Sequence, residues 1–302
     1  MTVDLKKHYP FTGRRLDLDG LSYHFLDEGA GAPVVMVHGN PSWSFYYRNL
    51  VLALRDRYRC IVPDHIGCGL SDKPGDDRYD YTLARRVDDL ERLIDHLGLT
   101  EKITLVLHDW GGMIGMAYAA RYPERIGRLV LLNTAAFHLP KEKKFPLGLK
   151  ICRDTVLGTL LVRGYNAFSI GASIVGCKKN PMSCELQRAY RSPYNSWANR
   201  IATLRFVQDI PLAPGDRNYA LVSQVAASLD RFKDLPVSIY WGELDFVFDT
   251  TFLAEWIRRF PKAQVHRYPD GGHYILEDLK TEVVPLIENF LDTTDTAAPE
   301  AR

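Results

Sequence analysis

Residues 103–112 read Ile103-Thr104-Leu105-Val106-Leu107-His108-Asp109-Trp110-Gly111-Gly112. A short apolar run of this kind fits a parallel strand buried on both faces. It ends at His108-Asp109. A glycine pair then leads into Met113–Arg121, small and apolar residues that read as a helix. Ligands on open α/β sheets gather at the carboxyl ends of the strands. The first side chains after this strand, Asp109 above all, are therefore the ones to ask about chemistry.

The same signature recurs outward from this stretch. Val34–Val37, Cys60–Val62, Leu129–Leu132, Val237–Trp241 and Gln264–Tyr268 read as strands. Ser44–Arg55, Leu83–Leu97, Phe252–Phe260 and Val283–Leu291 read as helices, with Gly98 as a stop for the second. Leu16–Leu26 reads as a hairpin around Asp19-Gly20. Alternating strands and helices imply an α/β class, with a mostly parallel sheet covered by helices on both faces. From Phe137 to Leu212 helical patterns continue without a strand. The expected division is a core of residues 1–136 and 213–302, with a helical cap at 137–212. The cap is locally basic. Between residues 137 and 191, Lys141, Lys143, Lys144, Lys150, Arg153, Arg163, Lys178, Lys179, Arg188 and Arg191 face only Glu142, Asp154 and Glu185. A solvated face is the plainer reading of that charge, and a docking surface the alternative.

Composition narrows the class. The 302 residues are 46% hydrophobic and 25% charged, with a formal net charge of +1. Nothing in that balance draws the chain to nucleic acid or to a membrane. The cysteines, Cys60, Cys68, Cys152, Cys177 and Cys184, are scattered and form no CxxC pair. A reducing, cytoplasmic setting fits better than a disulfide framework or a zinc site. The first residues lack a signal peptide's apolar region, and no apolar run reaches the ~18 residues of a membrane span. The stretch after Leu291 reads as a frayed tail.

The turn at Asp109 resembles the nucleophile elbow of α/β-hydrolases, G-x-S-x-G, with Leu107 in place of the first glycine and Asp109 in place of serine. A carboxylate with an ordinary pKa of ~3.9 is already ionised at neutral pH. It can displace a leaving group from sp³ carbon and form an alkyl ester. Capping of the following helix is the alternative role. His273, after Pro269-Asp270-Gly271-Gly272, has the right place in chain order for a base. Asp245, in Gly242-Glu243-Leu244-Asp245, is the expected orienting acid, with Glu243 pointing away. Asn133, at the other position where an acid could stand, cannot supply charge. Asn40, in His38-Gly39-Asn40-Pro41, and Trp110 offer backbone N–H groups for an oxyanion and side-chain donors for a departing anion. Asp64 reads as a support for these loops.

These motifs, together with Asp64-His65-Ile66-Gly67-Cys68-Gly69-Leu70-Ser71, resemble the haloalkane dehalogenase branch of the α/β-hydrolases over nearly the whole chain. Residues 133–140 and 162–168 are more similar to the β-lactone decarboxylases of bacterial long-chain olefin biosynthesis. The resemblance implies an α/β-hydrolase fold and an Asp109, His273 and Asp245 triad. It also implies an anion site at Asn40 and Trp110, and no cofactor or metal. A long-chain dialkyl β-lactone would yield a cis-olefin and carbon dioxide, beside the enzyme that forms the lactone. Haloalkane hydrolysis is the alternative. An epoxide hydrolase, with Tyr165, Tyr190 or Tyr194 as donors, ranks third. The cap's apolar residues, Leu147, Leu149, Ile151, Leu157, Leu160, Leu161, Phe168, Ile170, Ile174 and Val175, would line an alkyl pocket or pack the cap on the core.

Overall fold

The computed structural model describes residues 5–294. Eight strands form one sheet: β1 Arg14–Asp17, β2 Ser22–Glu28, β3 Pro33–Val37, β4 Arg59–Pro63, β5 Ile103–Asp109, β6 Ile126–Thr134, β7 Val237–Gly242 and β8 Gln264–Tyr268. Their order is β1-β2-β4-β3-β5-β6-β7-β8. The pairs β1/β2 and β2/β4 are antiparallel, and every other neighbouring pair is parallel. The expected hairpin is present, with left-handed Asp19 (φ 58°) and Gly20 (φ 79°) at its turn, the backbone that a two-residue hairpin loop favours.

Around the sheet lie α1 Leu5–His8, α2 Arg48–Leu54, α3 Leu83–His96, α4 Trp110–Arg121, α5 Leu147–Asp154, α6 Val156–Thr159 and a π-helical turn, Leu160–Gly164. They are followed by α7 Ala167–Val175, α8 Cys184–Arg191, α9 Ile201–Gln208, α10 Tyr219–Ser228, α11 Thr250–Arg259, α12 Ile275–Asp278 and α13 Lys280–Thr293. Among the described residues no strand interrupts the helices between β6 and β7. Successive side chains of a strand point to opposite faces, and β5 divides accordingly. Ile103, Leu105 and Leu107 join a core with α3, α4, α10 and α11, while Val106 joins a second core with α2 and α13. The sheet is thus buried on both sides, as its unalternated apolar runs require.

Several boundaries differ from expectation. Helix α4 starts at Trp110, with no loop between strand and helix. Strand β6 runs from Ile126 to Thr134, longer than its apolar centre, because its polar residues are buried with partners: Arg128 donates to the Leu291 carbonyl at 2.6 Å. Helix α13 continues to Thr293, past Leu291. The rest of the expected frayed tail lies outside the described residues. The five cysteines are free thiols, and among the described residues no helix is long and apolar enough to cross a membrane.

Candidate active site

Asp109 ends β5 with φ 52° and ψ −126°, a backbone state that L-residues adopt at a cost of about 1–3 kcal/mol. Neighbours over-determine it. Thr134 Oγ1 donates to the Asp109 carbonyl at 2.5 Å. Gly111 is obligatory, since a Cβ there would stand 1.9 Å from the Val37 carbonyl oxygen. Gly39 is obligatory because its Cβ would meet Asp109 Oδ1 at 1.9 Å. The carboxylate fills that space. The Asn40 backbone N–H donates to Oδ1 at 2.6 Å, and the Trp110 backbone N–H also donates to the carboxylate. The two backbone donors foreseen from sequence therefore already hold the Asp109 carboxylate.

His273 Nε2 stands 3.8 Å from Asp109 Oδ2, and His273 Nδ1 is 2.7 Å from Asp245 Oδ2. The second Asp245 oxygen accepts the Val247 N–H at 2.8 Å. Glu243 turns outward to Arg267, 2.6 Å away. Asn133 braces the loop instead of facing the imidazole: its amide donates to the Gly242 carbonyl and accepts from the Gly242 N–H, both at 2.9 Å. Burial raises the Asp109 pKa to about 6, against the opposing pull of His273 and the two backbone donors. Burial pulls His273 down, but the charge and hydrogen bond of Asp245, with Asp109, outweigh it and hold the imidazole above its usual range.

Asn40 Nδ2 donates one hydrogen to the Thr203 carbonyl of α9 at 3.0 Å, which leaves its other N–H free. The Asn40–Pro41 peptide is cis. The Trp110 ring leans on Phe206 with centroids 5.4 Å apart, and among the described residues its indole N–H donates to no protein atom. Both side chains line a cavity with about 1040 Å³ of empty space, its open mouth included. Asp109 and His273 are at its inner end, and the remaining wall is apolar apart from His138. The wall corrects the expected cap lining. Leu149 and Phe168 face the cavity, whereas Leu147, Leu157, Leu160, Ile174 and Val175 are exposed. Tyr190 and Tyr194 are buried and committed, their hydroxyls donating to Glu277 at 3.0 Å and to the Ser42 carbonyl at 3.1 Å, and Tyr165 is in solvent. None of the three lines the cavity.

Sequence reading passed over His108. Its Nε2 donates to the His273 carbonyl at 2.9 Å, and its ring stacks on Tyr46 at 4.2 Å. Burial, then the nearby His273, hold its pKa well below the ordinary range, so it acts as a neutral strut. Asp64 supports the opposite wall, accepting from His24 Nδ1 at 2.8 Å, Ser44 N at 2.6 Å and Leu70 N at 2.9 Å. Among the described residues no cluster of three or more His, Cys, Asp or Glu side chains could hold a metal ion.

Residues 32–150 match the family model for the alpha/beta hydrolase fold. The cis-3-alkyl-4-alkyloxetan-2-one decarboxylase of Shewanella oneidensis is 64% identical over 96% of this chain and 92% of its own. The chain belongs to this decarboxylase family. A second cis-3-alkyl-4-alkyloxetan-2-one decarboxylase, from Xanthomonas campestris, is 51% identical over 94% of this chain and 97% of its own. Haloalkane dehalogenases are more distant from this chain than these decarboxylases are. Haloalkane dehalogenase 2 of Mycobacterium tuberculosis is 32% identical over 93% of this chain and 96% of its own. The solved haloalkane dehalogenase DatA of Agrobacterium tumefaciens has a TM-score of 0.83 at 24% identity, covering 93% of this chain and 96% of that one, a likeness of fold.

Proposed function

We propose that the chain converts a cis-3-alkyl-4-alkyloxetan-2-one into a cis-alkene and carbon dioxide, with Asp109 as nucleophile. One observation carries the mechanism: the Asp109 carboxylate, its Oδ1 held by the Asn40 backbone N–H, lines a largely apolar cavity. Oδ2 attacks ring carbon C4 with inversion. The C4–O bond breaks, and its electron pair leaves on the carboxylate that remains attached to C3. Asn40 and Trp110 hold that carboxylate through their free N–H groups. The C3–carboxylate bond then breaks to release CO₂, and its electrons form the C3–C4 double bond. The Asp109 ester departs anti and the carboxylate is regenerated. Inversion followed by anti loss is net syn, so a cis lactone gives a cis alkene. No proton or water is consumed. His273, oriented by Asp245, keeps the resting charge of Asp109 compensated and would serve hydrolysis only if an ester were trapped.

In this reading residues 137–212 are the lid, and residues 1–136 and 213–302 the core. The free thiols support a cytoplasmic location. An apolar, reactive lactone favours work beside the enzyme that forms it, in olefin biosynthesis. The test offers a cis β-lactone, a bromoalkane and an epoxide side by side, with products identified by mass spectrometry. Alkene and CO₂ from the lactone are expected. Full alkene yield from Asp109→Ala would refute the nucleophile, and faster bromide release than decarboxylation would return the chain to haloalkane chemistry.

A further inference from the structure

Seven large apolar side chains between the start of α5 and the end of α7 stand in solvent: Leu147 on α5, Val156 and Leu157 on α6, Leu160 in the π-helical turn, Tyr165 ahead of α7, and Ile174 and Val175 on α7. Val156 exposes 79% of its surface and Tyr165 76%. Scattered apolar residues are ordinary on a protein surface, whereas a contiguous patch marks a contact. These elements pack in succession, α5 on α6, α6 on the π-helical turn and that turn on α7. From Thr155 to Val175 the only charged residue is Arg163, whose guanidinium lies over the Trp197 ring at 4.8 Å. Three of the polar side chains in this run bond to the lid's own backbone, Thr155 to the Ile151 carbonyl, Asn166 to that of Tyr194 and Ser173 to that of Ile170. The patch therefore offers apolar surface and few donors or acceptors for a specific protein contact, which ordinarily carries about one hydrogen bond per 100–200 Å².

Its border is cationic. Lys141, Lys144 and Lys150 are exposed around Leu147, and their ammonium groups meet no carboxylate among the described residues. Glu142 and Asp154 are the exposed acids beside them, Asp154 paired with Arg153 at 2.6 Å, and Lys143 is tied to Asp249 at 2.6 Å. The inner sides of α5 and α7 supply Leu149, Phe168 and Ala172 to the cavity wall. Phe246, also in that wall, is 44% exposed, which puts it at the mouth. We propose that this face of the lid docks on an anionic lipid surface. The apolar side chains enter the acyl boundary and the three lysines meet the phosphates, the arrangement of an interfacial anchor. The purpose rests on the long-chain substrate proposed above: an insoluble lactone would pass from the lipid into the cavity without crossing water.

Docking is measured without turnover, so its failure is separate from failure of the decarboxylase reading. The full chain is sedimented with mixed phosphatidylethanolamine–phosphatidylglycerol vesicles and with phosphatidylcholine vesicles. Pelleting with the anionic vesicles is expected, reduced by salt. A V156D/L157D variant should lose it while keeping its circular dichroism and its turnover of detergent-dispersed lactone. K141E/K144E/K150E should weaken it by roughly a hundredfold or more, at about fivefold per lysine lost. Failure of the wild type to pellet with anionic vesicles overturns the proposal. So does unchanged pelleting of both variants, or a concentration-dependent dimer that V156D/L157D abolishes, which would make the face a contact between copies of the chain.

Discussion

As the proposed nucleophile Asp109 has to be ionised, and burial opposes that by raising its pKa to about 6. Alkene formation should therefore fall as pH drops through about 6, seen as an acid limb in kcat/KM. The same shift has a stability cost. The folded state holds the proton more tightly than an unfolded aspartate of pKa ~3.9, so stability declines as pH rises from about 4 to about 6. Asp109→Asn should thus be inactive yet more stable at pH 8, by about 3 kcal/mol at most. The gain should shrink toward pH 4 in thermal melts. His273, held above the ordinary imidazole range, stays protonated further up the pH scale, where it cannot activate water. Any hydroxy-acid by-product should increase with pH as that proton is lost, read by incorporation of labelled water. Asp109, His273 and Asp245 were legible because each is an early polar residue after a strand. His108, Thr134 and Thr203 were not, because they act through backbone carbonyls distant in sequence: Asp109 for Thr134 and His273 for His108, while Thr203 offers its own carbonyl to Asn40.

Elements were legible where burial is uniform. The apolar centres of β3, β5, β6 and β7 announce themselves, and the termini of β6 hide because their polar residues are satisfied by partners remote in sequence. In the lid, sequence could not separate inward from outward apolar residues, since both faces of α7 are apolar: Phe168 and Ala172 line the cavity while Ile174 is exposed. Leu149 on α5 is the inward residue that suits a test of chain length. Leu149→Trp should fill part of the cavity and move preference to shorter lactones. Each methylene displaced should cost about 0.8 kcal/mol, or roughly fourfold in kcat/KM, against a homologous lactone series. The same substitution at outward Leu157 should leave the length profile unchanged.

Across the molecule two buried carboxylates respond to acid in opposite senses. Burial would raise the Asp64 pKa, but its hydrogen bond and charge interaction with His24, with help from His38 and the Leu70 N–H, bring it down to about 2. Its contribution is fully present above about pH 4 and is lost as pH falls through about 2, a loss of order 2 kcal/mol. Urea unfolding of Asp64→Asn should show the largest deficit near neutrality, closing in strong acid, whereas Asp109→Asn shows a surplus that closes between about pH 6 and pH 4.

The bond from Asn40 to the Thr203 carbonyl ties the two halves of the molecule at the point where an anion must be received. Asn40 is rooted beside Asp109 in the core, and its amide is clamped by a helix that belongs to the lid in the proposed division. The clamp fixes which hydrogen of the amide faces the cavity. A hinged roof that lifted α9 would release the amide to rotate, and the receptor for the freed carboxylate would lose its aim. In the proposed mechanism such a roof would be a latch: the floor around Asp109 is built without it, and the hand that catches the departing group would be set only with the roof shut.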